Sequence, residues 1–158
     1  MMSKFIDDII YQELDEIRKE LIISHLRLNQ KASGRWINTL DVQSEGNYGF
    51  IEGQDYTKYL EEGRPKNKNQ DPRAIKRWVG WAANTFIADW IEAKGLQLNP
   101  FAVAMNIALN GTKSYPRGGT DLVDAVLTEA RLQKLINNVQ RRVSDQLVLT
   151  LSREYARI

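Results

Sequence analysis

Few side chains in this chain are of types that do chemistry at neutral pH, and the first candidate is a lone histidine. His25 follows Ser24, and a serine beside a histidine is the beginning of a nucleophilic site. On a helix, adjacent residues do not face one another, so these two do not form a catalytic pair. His25 reads instead as a partly buried or surface histidine. Asp121 and Asp124 stand three apart, a spacing that on a helix puts both carboxylates on one face for a hard cation or a general base. Acids near a helix N-terminus are favoured by the dipole alone, and that simpler account covers this pair as well as Asp7 and Asp8. Gly118-Gly119 before a helix suggests a phosphate cradle. The P-loop pattern G-x-x-x-x-G-K-[ST] is missing, however, and Gly111, Gly118 and Gly119 lack dinucleotide-binding spacing, so a flexible loop is the better reading. With no cysteine, disulfides, thiolate zinc sites, iron–sulfur clusters and cysteine nucleophiles are excluded within one chain. No catalytic residue, metal or cofactor is expected, and the chain does not read as an enzyme.

Aromatic and basic residues offer binding rather than catalysis. Trp78, Trp81 and Trp90, with Phe86, have Arg73, Lys76 and Arg77 beside them and could stack nucleobases. Trp78 and Trp81 also continue the helical stripe of Ile75 and Val79, which points to core or a subunit interface. Trp81 widens that stripe beyond one core face and is the most interface-like of the three. Two polar loops are basic. One carries Arg64, Lys66 and Lys68, with Arg73 beyond; the other carries Lys113 and Arg117. They are either solvated or contact DNA phosphate or an acidic neighbouring subunit. Residues 64–70 hold no apolar residue except Pro65, so this loop is expected to be mobile in an isolated subunit and ordered in an assembly.

The elements that position these residues can be read from periodicity and punctuation. The chain has 158 residues, 42% hydrophobic and 27% charged, which suits a single soluble globular domain over residues 1–158. Its 22 Lys and Arg against 20 Asp and Glu argue against a dedicated nucleic-acid binder but leave room for a local basic patch. No apolar run reaches the length of a membrane span, and acidic Asp7 and Asp8 fall where a signal peptide would be apolar, so the chain reads as unexported and without membrane contact.

A long amphipathic helix is expected over residues 4–29, at about 1.5 Å per residue a rod of roughly 37 Å. Ile6, Ile10 and Ile22 on it are candidate interface residues together with Trp81, because so long a helix should pack on more than its own domain. Residues 35–62 read as β-rich, with Arg35 to Leu40 open to strand or short helix and Asp55 to Leu60 open to a helical turn. Asp71-Pro72 and Asn99-Pro100 are helix starts, giving helical regions 72–95 and 100–110. A kink or break is expected near Ala83-Asn84-Thr85. Thr120 is expected to cap a helical C-terminal region 120–155, within which 147–151 could be helix or edge strand.

The order of these elements, with Ala32-Ser33-Gly34, Tyr56-Thr57-Lys58-Tyr59-Leu60-Glu61-Glu62-Gly63 and Trp90-Ile91-Glu92-Ala93-Lys94-Gly95-Leu96, resembles the neck, tail-completion and minor tail proteins of tailed bacteriophages. The resemblance spans roughly residues 1–135, and its motifs are structural. It implies an α+β fold, a small twisted antiparallel sheet packed by a long N-terminal helix and further helices. It implies a virion protein assembled in the host cytoplasm as a homo-oligomeric ring at the head–tail junction, twelve-fold in preference to six-fold. Such a ring would link portal-side and tail-side proteins and touch phage DNA in passing. The long helical region 72–95 and the helical C-terminus depart from the family pattern. A nucleic-acid-binding accessory protein, using the basic loops and exposed tryptophans, is the alternative; a metal-dependent hydrolase would have only scattered carboxylates to work with.

Overall fold

The computed structural model describes residues 2–157. The fold is α+β, 63% helical with one two-stranded antiparallel sheet among the described residues. In chain order the elements are α1 (Met2–Arg27), α2 (Arg35–Thr39), β1 (Asp41–Glu45), β2 (Tyr48–Glu52), α3 (Thr57–Glu61), α4 (Pro72–Ala82), α5 (Ala88–Ala93), α6 (Pro100–Asn110) and α7 (Glu129–Tyr155). Their contacts gather into two compact units.

The first unit comprises Met1–Ser24, Thr39–Gly53 and Val123–Ile158. Ile9, Glu13, Ile17, Leu21 and Ser24 are buried on α1 at intervals of three and four, the helical period the sequence displays. Strands β1 and β2 pair from Asp41↔Glu52 to Glu45↔Tyr48. Gly46-Asn47 turns between them with φ of +63° and +69°, the two-residue geometry whose twist matches the strands. The hairpin is seated on α1. Ser44 Oγ donates to the Asp7 carbonyl at 2.7 Å, and the Asn47 amide donates to Asp7 Oδ1 at 2.9 Å. A Cβ at Gly49 would lie 2.6 Å from Leu14 Cδ1 and 2.8 Å from Ile10 Cγ2, so only glycine permits this approach. Helix α7 starts where Thr128 accepts from the Arg131 amide, and it runs antiparallel to α1. Arg131 meets Glu20 at 2.8 Å, Asn138 donates to Glu13 at 3.1 Å, and Arg142 donates to Gln12. Arg131, Leu135, Asn138, Val139, Arg142, Val143 and Gln146 form one half-buried stripe. None of the helix is fully buried, and every described residue from Leu147 onward is exposed.

The second unit comprises His25–Asn38 and Gln54–Leu122. Asp71 and Asn99 cap α4 and α6 as expected, each side chain accepting from two backbone amides. The core packs Ile75, Val79, Ala82, Ala83, Ile87 and Ile91 against Ala104 and Ala108 of α6. Helical region 72–95 is interrupted by a π-helical turn at Ala83–Ile87, where the kink was expected. The cause is local: Asn84 Nδ2 donates to the Gly80 carbonyl at 2.7 Å and Thr85 Oγ1 to the Trp81 carbonyl at 2.8 Å, competing for acceptors of the helix ladder. Helices α1 and α5 end in the same way. Asn29 and Gly95 take positive φ, and the next amides, of Gln30 and Leu96, reach back to the carbonyls of His25 and Ile91. Lys94 joins the two ends, donating to the Asn29 carbonyl at 2.7 Å.

One region settles an open reading and another differs from expectation. Within 35–62 only the hairpin is β-structure, and the two segments open to helix, Arg35 to Leu40 and Asp55 to Leu60, hold α2 and α3. A tertiary bond holds them: buried Trp36 donates through Nε1 to Thr57 Oγ1 at 2.9 Å. In the C-terminal region 120–155 the helix begins at Glu129, not at Thr120. The Thr120 hydroxyl is spent on the Leu60 carbonyl at 2.6 Å, and Asp121 adopts a left-handed φ of +55°, followed by a turn at 122–126. Asp121 and Asp124 therefore do not share a helix face. Residues 147–151 are helix.

Candidate functional site

The residues with the clearest binding geometry belong to the first basic loop. A cleft of about 300 Å³ is lined by Tyr59 of α3, residues 64–69, and Ala74 and Trp78 of α4. Its floor is Trp78, braced by an edge-on contact to Phe86. The Arg64 guanidinium lies 3.9 Å from the Trp78 ring centroid, a stacked cation–π contact. Burial pushes the Arg64 pKa below its ordinary value, though a guanidinium stays charged at any physiological pH.

The loop does not lack an anchor, contrary to what its composition suggests. The Arg64 amide donates to Thr112 Oγ1 and the Arg64 carbonyl accepts from the Thr112 amide, both at 2.8 Å. The Asn67 amide donates to the Ala108 carbonyl at 2.9 Å. Gly111, with φ of +78°, passes so close that a Cβ there would sit 2.7 Å from the Arg64 carbonyl oxygen. These bonds join the stems of the two basic loops, which lie 48 residues apart in sequence. Backbone partners from a distant segment replace the missing apolar anchor, a substitution that local composition cannot reveal.

Tethering also decides which polar groups remain. The Asn67 side-chain oxygen accepts from Arg64 Nη2 at 2.7 Å, and the Asn69 side-chain oxygen accepts from the Asp71 amide at 2.9 Å. The carbonyls of Arg64, Pro65 and Asn67 accept from Thr112, Arg64 and Gln70. These five acceptors of the wall are consumed within the fold, while Lys66 and Lys68 stand exposed at its rim. No carboxylate lies within salt-bridge distance of Arg64, Lys66 or Lys68 among the described residues.

Charge is divided between the units. The second carries 13 Lys and Arg against 7 Asp and Glu, net +6; the first carries 9 against 13, net −4. The near-neutral total of the whole chain conceals this division.

His25 is 3% exposed and stacks on Trp36 with ring centroids 4.5 Å apart. Its Nδ1 makes no hydrogen bond. Burial holds its pKa below the ordinary histidine value, Lys94 adds to that effect, and the Gln30 side chain opposes it. Among the described residues no group of three or more His, Cys, Asp or Glu is placed to hold a metal ion, and no helix is long and apolar enough to cross a membrane.

The other candidates lie elsewhere. Lys113 and Arg117 are exposed on the loop beyond Thr112 and do not line the cleft. Ile6, Ile10 and Ile22 are half-buried on α1, with Ile10 already against the hairpin, whereas Trp81 is 58% exposed and packs edge-on against exposed Phe86 at 5.3 Å. Two apolar surfaces were not singled out from the sequence. Phe101, Met105 and Leu109 form an exposed stripe on α6, and Leu147, Val148, Leu149, Leu151 and Tyr155 are exposed at the end of α7. The first had a readable signal: residues 100–109 are apolar nearly all round, too much for one core face. No protein-family model, no curated protein and no solved structure matches the chain.

Proposed function

We propose that this chain is a structural virion protein of a tailed bacteriophage, self-associating into a ring at the head–tail junction, where it links portal-side and tail-side components. The observation that carries self-association is α7, whose 27 residues include none that is buried and whose last turns present Leu147, Val148, Leu149, Leu151 and Tyr155 to solvent. Contiguous apolar surface of that kind is characteristic of an interface. A second, different apolar face on α6, and the opposite net charges of the two units, favour contacts between unlike surfaces of successive copies. Head-to-tail contacts between unlike surfaces close into rings when the rotation permits. Exposed Trp81 and Phe86 add apolar area suited to a neighbour. The assignment to a neck ring rests on the resemblance in element order and motifs described above.

Mass photometry and negative-stain imaging of the purified chain test this function. A twelve-membered ring has a mass of about 220 kDa, twelve times 18.2 kDa, and six copies give half that value. Closed rings without added nucleic acid are expected. A species of 18.2 kDa at all micromolar concentrations would overturn the proposal.

A further inference from the structure

We propose that the cleft floored by Trp78 is a binding site for single-stranded nucleic acid, gripping the phosphodiester backbone through Arg64, Lys66 and Lys68 and stacking a base against the Arg64–Trp78 pair. The ligand chemistry follows from what the cleft still offers. Its asparagine oxygens and the carbonyls of Arg64, Pro65 and Asn67 are engaged within the fold, and its three cations, Arg64 held by Asn67 and Trp78 and Lys66 and Lys68 exposed, have no carboxylate partner among the described residues. Such a wall fits an anion rich in acceptors, and a phosphate is the common biological example. The flat element selects among phosphates. A guanidinium held over an indole, 3.9 Å from its centroid, is a platform of the sort on which unpaired bases stack. A volume of about 300 Å³ is at the lower limit of small-ligand pockets, enough for one nucleotide of a strand that continues past the rim. A paired base is shielded by its neighbours in a duplex and cannot reach the platform, so the single strand is favoured. The basic balance of the second unit, net +6, attracts a polyanion over a longer range. The site lies wholly within that unit and needs no second copy, so it does not depend on ring formation.

The test is fluorescence anisotropy of a labelled 20-nucleotide oligo-dT with the full chain. Three backbone contacts predict a log–log salt slope of about −2, or roughly 16-fold weaker binding at 200 mM than at 50 mM salt. The exposed pair Lys66→Ala/Lys68→Ala, whose change leaves the fold untouched, should reduce the slope to about −0.7. Arg64→Lys keeps the charge but loses the plane, so it should leave the slope near −2 while weakening binding about tenfold. A monomeric variant with the α7 apolar end removed, Leu149→Asp/Leu151→Asp, should bind oligo-dT as the parent does, which separates this proposal from the ring. Inorganic phosphate at equal phosphate concentration should not displace the strand. Polyglutamate of equal charge, or a duplex, binding as tightly as oligo-dT would overturn the proposal, as would an unchanged slope in the lysine variant or no binding at 50 mM salt.

Discussion

Helices α1 and α7 of the first unit are joined by the polar pairs Glu20–Arg131, Glu13–Asn138 and Gln12–Arg142, and the α7 stripe beside them is only half-buried. In the second unit, Ala82 of α4 and Ala83 of the π-helical turn pack with Ala104 and Ala108 of α6, all at most 1% exposed. Small residues let two backbones approach, and the larger Ile75, Val79, Ile87 and Ile91 then fill the space beside them. That contact excludes water within a single copy. Partly exposed ion pairs contribute about 0–1 kcal/mol each, so the first contact orients α7 without burying it. One unit has a finished core; the other has a helix whose apolar end is still uncovered.

Truncating one side chain in each unit breaks this contrast most sharply. Ile87→Ala should cost about 2–5 kcal/mol in urea unfolding, because a buried side chain of that size leaves a cavity. Leu151→Ala, at a position 65% exposed, should stay within about 0.5 kcal/mol in the dissociated chain. Equal losses at both sites would mean that the end of α7 is covered within its own chain.

Buried His25 gives a pH signature. Its folded pKa lies below the unfolded value of 6.5, so below that pH the unfolded chain takes up a proton that the folded chain resists. Stability should therefore fall as pH drops below about 6.5, by at most about 1.4 kcal/mol per pH unit, until the folded pKa is reached. His25→Phe should lack this component when urea midpoints are compared at pH 7.5, 6.5 and 5.5.

Gly80 lies inside α4, and a Cβ added there would meet nothing within 4 Å. Gly80→Ala should raise stability by about 0.5–1 kcal/mol, read as a higher melting temperature. The smallest effect belongs to the first unit: a double-mutant cycle on Glu20 and Arg131 should return a coupling of about 0.2–1 kcal/mol, shrinking with added salt. A coupling well above that would show that the polar seam carries the first unit.

What could be read from the sequence was local. Asp71-Pro72 and Asn99-Pro100 fixed two helix starts because the capping atoms and the amides they satisfy lie within three residues. Gly95 marked an end for the same reason, and Asn84 and Thr85 disturbed the helix through their own i−4 carbonyls. The misread or ambiguous positions answer to distant partners. Thr120 has the residue type of a cap, yet its hydroxyl goes to Leu60, and the helix waits for Thr128. Trp36 ties α2 to α3 through Thr57, in a stretch whose aromatic and branched residues suggest strands. The candidate site was half legible. Arg64, Lys66 and Lys68 stand out as a basic loop, but the Trp78 platform and the Thr112 tether are tertiary facts. The separation of +6 from −4 is invisible until the contacts sort residues into units.

The central claim is that the uncovered end of α7 is covered by another copy of the chain. Analytical ultracentrifugation of the parent and of Leu149→Asp/Leu151→Asp, over the same micromolar range, tests it most directly. The account predicts a large closed assembly for the parent and an 18.2 kDa species with an unchanged urea midpoint for the variant. Identical sedimentation of the two proteins would contradict it.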